Sequence, residues 1–288
     1  MDYAAVILIQ VLSAAAVLVL VSSGLAIIFG MMRIINIAHG EFLMLGAYAF
    51  LVAVRSGANI WFAMFVVAPL VVGTFGVIVE RLLIRFLYGR IVDSLLATWG
   101  LSLFLSGGIT MAFGNAMEGI PTPFGALSIG RFSTSWYTVF IIAVAMLLLV
   151  TIALVLKFTR LGLVARGSMQ NPSMAASLGI SPSVTYAATF GTGAALAGLA
   201  GAILAPVTGV GPNIGSGFIA KSFITVVGGG ASIVTGTGLA AAFFGTINQL
   251  VSFWQTSVWG DAATLIAALI MLRVLPRGIT GRFFQGAI

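Results

Sequence analysis

Long apolar runs separated by short polar breaks make up most of this chain. The runs cover about 4–30, 38–54, 59–79, 94–113, 136–156, 185–207, 236–254 and 261–275. A helix needs roughly 20 apolar residues to cross a hydrocarbon core, and these runs supply that length repeatedly. A further, shorter apolar stretch lies at about 217–230. Strands of a membrane barrel would alternate with period two in segments of about ten residues. The continuous run from Tyr137 to Leu156 has no such alternation. The pattern predicts an all-α, polytopic transmembrane bundle in a single domain over 1–288, with about eight spans and one short or re-entrant helix.

Charge orients the spans. Arg81, Arg85 and Arg90 follow the third run, Lys157, Arg160 and Arg166 follow the fifth, and Arg273, Arg277 and Arg282 close the chain. Basic residues concentrate in cytoplasmic loops, so these three regions are expected inside. The loops around Arg55 to Asn59, Gly114 to Ser135 and Ser257 to Asp261 carry two arginines and two acidic residues in total and are expected outside. Counting back puts the N-terminus outside and the C-terminus in the cytoplasm, provided that 217–230 enters and leaves on one face. Met1-Asp2-Tyr3 is acidic and leads into a span-length run, so the first helix is expected to be retained rather than cleaved as a signal.

Composition agrees with the pattern and removes several alternatives. Hydrophobic residues make up 60% of 288 and charged residues 7%, with mean hydropathy +1.19, far more apolar than a soluble core requires. The 36 glycines suit helices that pack closely in lipid. An isoelectric point near 10.6 could suggest nucleic acid, but the basic residues are dispersed over membrane-flanking loops and no nucleic-acid partner is expected. Zero cysteines exclude disulfides and thiolate chemistry, and a single histidine, His39, leaves little for a metal site.

Two segments echo one another. Gly24 to Gly30 runs into Asn36-Ile37-Ala38-His39-Gly40-Glu41 and then Phe42 and Gly46; Gly198 to Ala202 runs into Gly211-Pro212-Asn213-Ile214-Gly215 and then Phe218 and Phe223. Each reads as a long helix, a Gly/Asn break and a shorter apolar helix. On the topology above the two run in opposite directions, as in an inverted repeat, and transporters place the substrate path at such paired interruptions. Chance likeness among glycine-rich helices is the alternative. Ionisable groups inside apolar sequence cost a few kcal/mol and therefore face a cavity or a partner. Asn36, His39, Glu41 and Asn213 are thus the expected lining of a polar constriction. Glu41 could equally pair with Arg33 or sit at the positive end of the following helix.

The loop at about 157–184 contains a short helix with its own punctuation. Asn171 fits the N-cap, Pro172 the first helical position, Gly179 a left-handed stop, and Pro182 bars continuation. Met174 and Leu178, four apart, share a face beside Ala175. Two turns are not stable alone in water, so this face is expected to dock, either on a partner protein or on its own membrane domain. No phosphate loop with its Lys, no Gly-x-Ser-x-Gly elbow and no paired carboxylates in one loop occur, so no enzymatic activity is expected. Gly228-Gly229-Gly230 reads as packing or a hinge.

The run from Gly30-Met31-Met32-Arg33-Ile34-Ile35-Asn36 through Ala38-His39-Gly40-Glu41-Phe42 to Tyr48 resembles the signature of the branched-chain amino acid permease family of ABC importers, the LivH-type subunit. The likeness continues in Thr159 to Gly162, Arg166 to Ile180, Gly191 to Gly201 and Leu275-Pro276-Arg277-Gly278-Ile279. It implies a permease in the bacterial plasma membrane, paired with a second homologous permease as a heterodimer, two cytoplasmic ABC ATPases and an extracytoplasmic solute-binding protein. It also implies that ATP and Mg belong to those partners, with no cofactor in this chain, and that the segment after Arg166, including Asn171, Met174, Ala175, Leu178 and Gly179, is the coupling helix.

Leu83 to Arg90, Leu95 to Leu103 and Gly209 to Gly215 are more similar to the urea and short-chain amide branch, the UrtB-type permeases. The expected substrate is therefore urea or a short-chain amide, with leucine, isoleucine and valine as the alternative. Lys221, where the urea branch tends to carry an acidic residue, and the plain Gly228-Gly229-Gly230 depart from the pattern. A secondary carrier or passive channel for a small polar solute is the rival from another class.

Overall fold

A computed structural model describes residues 2–129, 132–230 and 232–283. Met1, Gly130, Arg131, Ala231 and 284–288 lie outside the described residues, as do the side chains of Asp2, Tyr3, Ile129, Arg282 and Phe283. Those parts of the charge pattern and of the N-terminal reading are therefore without a structural counterpart.

The chain is helical nearly throughout. α1 (Asp2–Met32) and α2 (His39–Arg55) are followed by α3 (Ile60–Phe62), which passes through a π turn (Ala63–Val67) into α4 (Ala68–Leu82). Pro69 stands at the start of α4 and lacks an N–H. The wider π turn just before it accommodates a ring that a regular helix would not. Then come α5 (Ile91–Phe113), the strands β1 (Ala126–Ile129) and β2 (Phe132–Ser135), and α6 (Trp136–Phe158). α7 (Arg160–Gln170), α8 (Pro172–Ser177) and α9 (Pro182–Thr208) lead to α10 (Ser216–Gly229), α11 (Ile233–Trp254), α12 (Ser257–Val274) and α13 (Gly278–Phe283). β1 and β2 form an antiparallel hairpin, Ala126 opposite Ser135, inside the loop at Gly114 to Ser135, where no strand is expected from the apolar pattern.

Among the described residues, six helices are long and apolar enough to cross a membrane, or up to seven if α10 and α11, which meet at a 118° bend, count as one broken span. The expected eight included α2 and α11 as separate spans. α2 has 17 residues, about 25 Å at 1.5 Å each, short of a hydrocarbon core of about 30 Å. α11 carries Thr235, Thr237, Thr246, Asn248 and Gln249 within its apolar run. The stretch at 217–230 is the short helix α10, as the pattern predicts.

The residues form two compact units. One comprises 1–22, 121–151 and 221–288; the other comprises 23–120 and 152–220. In the second, α9 is the most enclosed of the long apolar helices and packs most extensively on α4 and α2. Its glycines permit this: Gly198 faces Val72 and the Ala68 carbonyl, and Gly201 lies directly against the Leu43 carbonyl, so a β-carbon at either would collide. Without a hydrophobic drive between helices in lipid, such close approach supplies the association energy through van der Waals contact. In the first unit, Gly245 of α11 packs on the Ala15 backbone of α1, and Ser222 donates to the Val21 carbonyl at 3.1 Å.

Gly228-Gly229-Gly230 serves packing. Gly228 lies under Phe244 and Met271, Gly229 against Gly236, and Gly230, at φ +82, against the Arg277 carbonyl. Thr280 clasps this turn, donating to the Gly229 carbonyl at 2.5 Å and accepting from the Ser232 N–H at 3.1 Å.

Candidate functional site

The first break begins where α1 ends. Arg33 takes φ +52, the one non-glycine left-handed residue among those described, and its N–H still reaches the Phe29 carbonyl at 3.0 Å. A left-handed conformation costs an ordinary side chain about 1–2 kcal/mol. Residues 33–38 leave the helix, and α2 restarts at His39 with no side-chain cap. Its first turn instead uses the Ala38 carbonyl, which accepts from Glu41 and Phe42. The non-helical stretch is held from outside by Thr98 of α5, wholly buried, whose hydroxyl accepts from the Ile37 N–H at 3.2 Å and donates to the Ser94 carbonyl at 2.8 Å.

The second break follows α9. Gly209 turns the chain at φ +75. Val210 exchanges two 2.8 Å backbone hydrogen bonds with Glu118, and Gly211 to Ile214 forms a turn. Met117 lies over Gly209 and Gly211. Glu118 in turn pairs with Arg55 at the end of α2, so two charges expected in outward loops neutralise each other.

The two breaks meet. A β-carbon on Gly40 would fall 2.5 Å from the Gly215 carbonyl oxygen, and one on Gly215 would collide with the Gly40 carbonyl. Backbone contacts of the same kind recur between the first segment and α9. Gly24 lies against the Gly193 carbonyl, and Gly46 against Gly198. These contacts are backbone on backbone, and only glycine permits them.

Asn36 and His39 are wholly buried, and Glu41 is 7% exposed. Both ends of the Asn36 carboxamide lack a hydrogen-bond partner among the described residues. A buried amide left so costs free energy unless a water or solute meets it. Glu41 stands in the first turn of α2, where the helix dipole favours a carboxylate. Ser102 of α5 lies near its carboxylate. No ion pair joins it to Arg33, which is exposed. Asn213 is also exposed; its carbonyl accepts from Ser216, and it is Gly215, two residues on, that meets the first break. The structure thus brings the two breaks together but encloses Asn36, His39 and Glu41 apart from the Asn213 side chain.

Thr98 and Ser102 were not among the residues expected here. Their signal is legible in retrospect: Ser94, Thr98, Ser102, Ser106 and Thr110 recur every four residues along α5. Four residues advance a helix by one turn plus about 40°, so the row spirals slowly out of the packed face. Ser94 and Thr98 are buried and Thr110 is exposed. A cavity of about 410 Å³ bordered by Leu45, Tyr48, Val52, Val71, Phe75 and Phe113 is almost wholly apolar and offers a polar solute few partners.

The loop after α6 holds two helices rather than one. Thr159 caps α7, accepting from the Gly162 N–H at 3.2 Å, and Gly162 packs on the Val155 and Leu156 carbonyls to reverse the chain. Arg166 donates to the Gly162 carbonyl at 3.2 Å. Asn171 caps α8, accepting from the Met174 N–H at 3.0 Å, Pro172 opens the helix, and Gly179 at φ +83 closes it. Ala175 is buried, whereas Met174 and Leu178 are 57% and 75% exposed. Ala175 thus packs on the neighbouring helices, while Met174 and Leu178 are left largely uncovered by the described residues.

Near the start of α9, the Tyr186 ring lies tilted by 58° against Tyr88, 4.9 Å between centroids; the Tyr88 hydroxyl donates to buried Glu80 of α4. Burial first, and then the Glu80 carboxylate, push the Tyr88 phenol well above its ordinary range. It stays a proton donor and ties α4 to α9 beside α7 and α8.

A family model described as branched-chain amino acid transport system, permease component, matches residues 7–275. The high-affinity branched-chain amino acid transport system permease protein BraD of Pseudomonas aeruginosa is 30% identical over 285 residues, 91% of each chain. LivH of Escherichia coli, with the same description, is 28% identical over 279 residues, again 91% of each. The probable branched-chain amino acid permease LivH of Methanocaldococcus jannaschii is 26% identical, covering 92% of this chain and 88% of that one. Among solved structures, PsaBC from Streptococcus pneumoniae in complex with Fab aligns over 97% of this chain and 94% of its own at 11% identity and TM-score 0.49, too distant to carry an inference.

Proposed function

The chain belongs to the family of branched-chain amino acid transport permease components, and on that premise we propose that it forms half of the channel through which an ATP-driven importer admits leucine, isoleucine and valine. The observation that carries this reading is the match over residues 7–275, with relatives named for branched-chain amino acids. These relatives favour the amino acids over urea or a short-chain amide.

Several observations support a mechanism. The solute path runs beside the two breaks, with Asn36, His39, Glu41 and Asn213 as its polar groups and Ser102 and Thr98 behind them. Discontinuous helices free backbone and buried polar groups for a solute while the neighbouring helices keep them out of lipid. The capped helix α8 receives the motor: Met174 and Leu178 seat in a groove of a cytoplasmic ATPase, and the movement passes through α7 and Tyr186 into α9. A second, homologous permease completes the channel, and an extracytoplasmic solute-binding protein delivers the solute. The N-terminus lies outside and the C-terminus inside.

The test is reconstitution of the chain with its partner subunits and binding protein in proteoliposomes, with labelled leucine, valine, urea and acetamide offered separately. ATP-dependent leucine uptake that is lost in Met174→Asp/Leu178→Asp, together with co-purification of the ATPase, is the expected result. Uptake and co-purification that both survive the double substitution would establish the carrier or channel instead. Urea uptake without leucine uptake would restore the urea reading.

A further inference from the structure

An ion pair in the first unit lies outside both breaks and the coupling helix. Lys221, in the second turn of α10, places Nζ 2.8 Å from Oδ1 of Asp261, in the second turn of α12. Asn248 of α11 donates from Nδ2 to the same oxygen at 2.8 Å and to the Thr264 hydroxyl at 3.2 Å. Gly260 sets the spacing, since its α-carbon approaches so closely that a β-carbon would lie 2.6 Å from the Asn248 carbonyl. The carboxylate is therefore held in place by α11, whereas the ammonium reaches it from α10.

As a fastener such a pair contributes little, since a partly exposed ion pair returns about 0–1 kcal/mol. The Lys221 and Asp261 side chains are 30% and 46% exposed, so neither charge is enclosed by the described residues.

We propose that Lys221 and Asp261 bind the zwitterionic head of an α-amino acid, Lys221 taking the carboxylate and Asp261 the ammonium, with Asn248 as the residue that positions Asp261. Before binding, each charge satisfies the other; on binding, each exchanges its partner for the solute's opposite charge, and neither is left unpaired. A monovalent acid or amine engages one half and strands the other, and urea has no charge with which to displace the pair. The site thereby selects zwitterions. It rests on the amino acid reading of the substrate and deepens it.

Lys221 and Lys157 are the only two lysines in the chain, which makes the test specific. In the reconstituted importer, saturating leucine slows acylation of Lys221 by an amine-reactive reagent and leaves Lys157 unaffected, while urea protects neither. The exchange variant Lys221→Asp/Asp261→Lys keeps an ion pair between the helices but reverses its polarity toward the solute. It assembles, and its KM for leucine rises by about tenfold or more, as like-charge apposition requires. A wild-type importer that carries urea and not leucine overturns the substrate reading. One that carries leucine while Lys221 labels equally fast with and without it, or while the exchange variant keeps the wild-type KM, overturns the site and leaves the substrate reading standing. The labelling experiment decides the matter should the exchange variant fail to assemble.

Discussion

Replacing Gly40 with alanine is the most direct perturbation of the contact between the two breaks. The added β-carbon would sit 2.5 Å from the Gly215 carbonyl oxygen and 2.8 Å from its carbon. Carbon and oxygen rest comfortably at about 3.3–3.6 Å, so the backbones must part by about 1 Å. Both are main chain, and neither can swing away as a side-chain tip would. Overpacking of this kind costs about 1–3 kcal/mol. Gly215→Ala meets the reciprocal obstacle at the Gly40 carbonyl. Once either substitution has separated the segments, the second has less left to displace, so the double variant should cost clearly less than the sum.

The assay is thermal stability of the purified complex, followed by size-exclusion recovery after heating, alongside leucine uptake at matched protein. Gly108→Ala in α5 is the control. A β-carbon there meets nothing within 4 Å, and the exchange should be neutral or stabilise by about 0.4–1 kcal/mol. If Gly40→Ala matches wild type in both assays, or if the two substitutions add without discount, the breaks do not share a backbone contact and the reasoning fails.

Thr98→Val removes a hydroxyl at nearly constant shape and leaves the Ile37 N–H without its 3.2 Å acceptor; a loss of about 1–3 kcal/mol is expected, measurable as a lower melting temperature of the complex and reduced uptake. Arg33→Gly accommodates φ +52 without the side-chain penalty and should raise stability by about 1 kcal/mol, read in the same melting assay. Asn171→Ala deletes the cap of α8 and should weaken that helix by about 1 kcal/mol. Its signature is lower transport-coupled ATP hydrolysis with the membrane domain's melting temperature unchanged.

Local features of the chain were legible from sequence because their causes are local. A span-length apolar run, a proline that cannot donate, an asparagine able to accept from the third N–H of a helix and a glycine free to take positive φ each act within a few residues. The helical class, the interruptions at Asn36 to Glu41 and Gly211 to Gly215, and the cap and stop of α8 followed from them. The family resemblance rests on the same short stretches. The span count was less legible, since α2 and α11 are apolar yet one is too short and the other carries amide and hydroxyl side chains in its run.

Pairings were decided by tertiary structure alone. A glycine reads identically whether it breaks a helix, turns the chain or admits a neighbour's backbone, and only packing showed that Gly40 meets Gly215 while Gly108 meets nothing. Lys221 and Asp261 lie forty residues apart, and Arg55 and Glu118 sixty-three. Nothing within either neighbourhood names the partner. Thr98 carries no mark of its own either, because a hydroxyl in an apolar helix can always bond the carbonyl one turn back. That it also secures Ile37 depends on α5 being laid beside α2 and the break, which no segment in isolation determines.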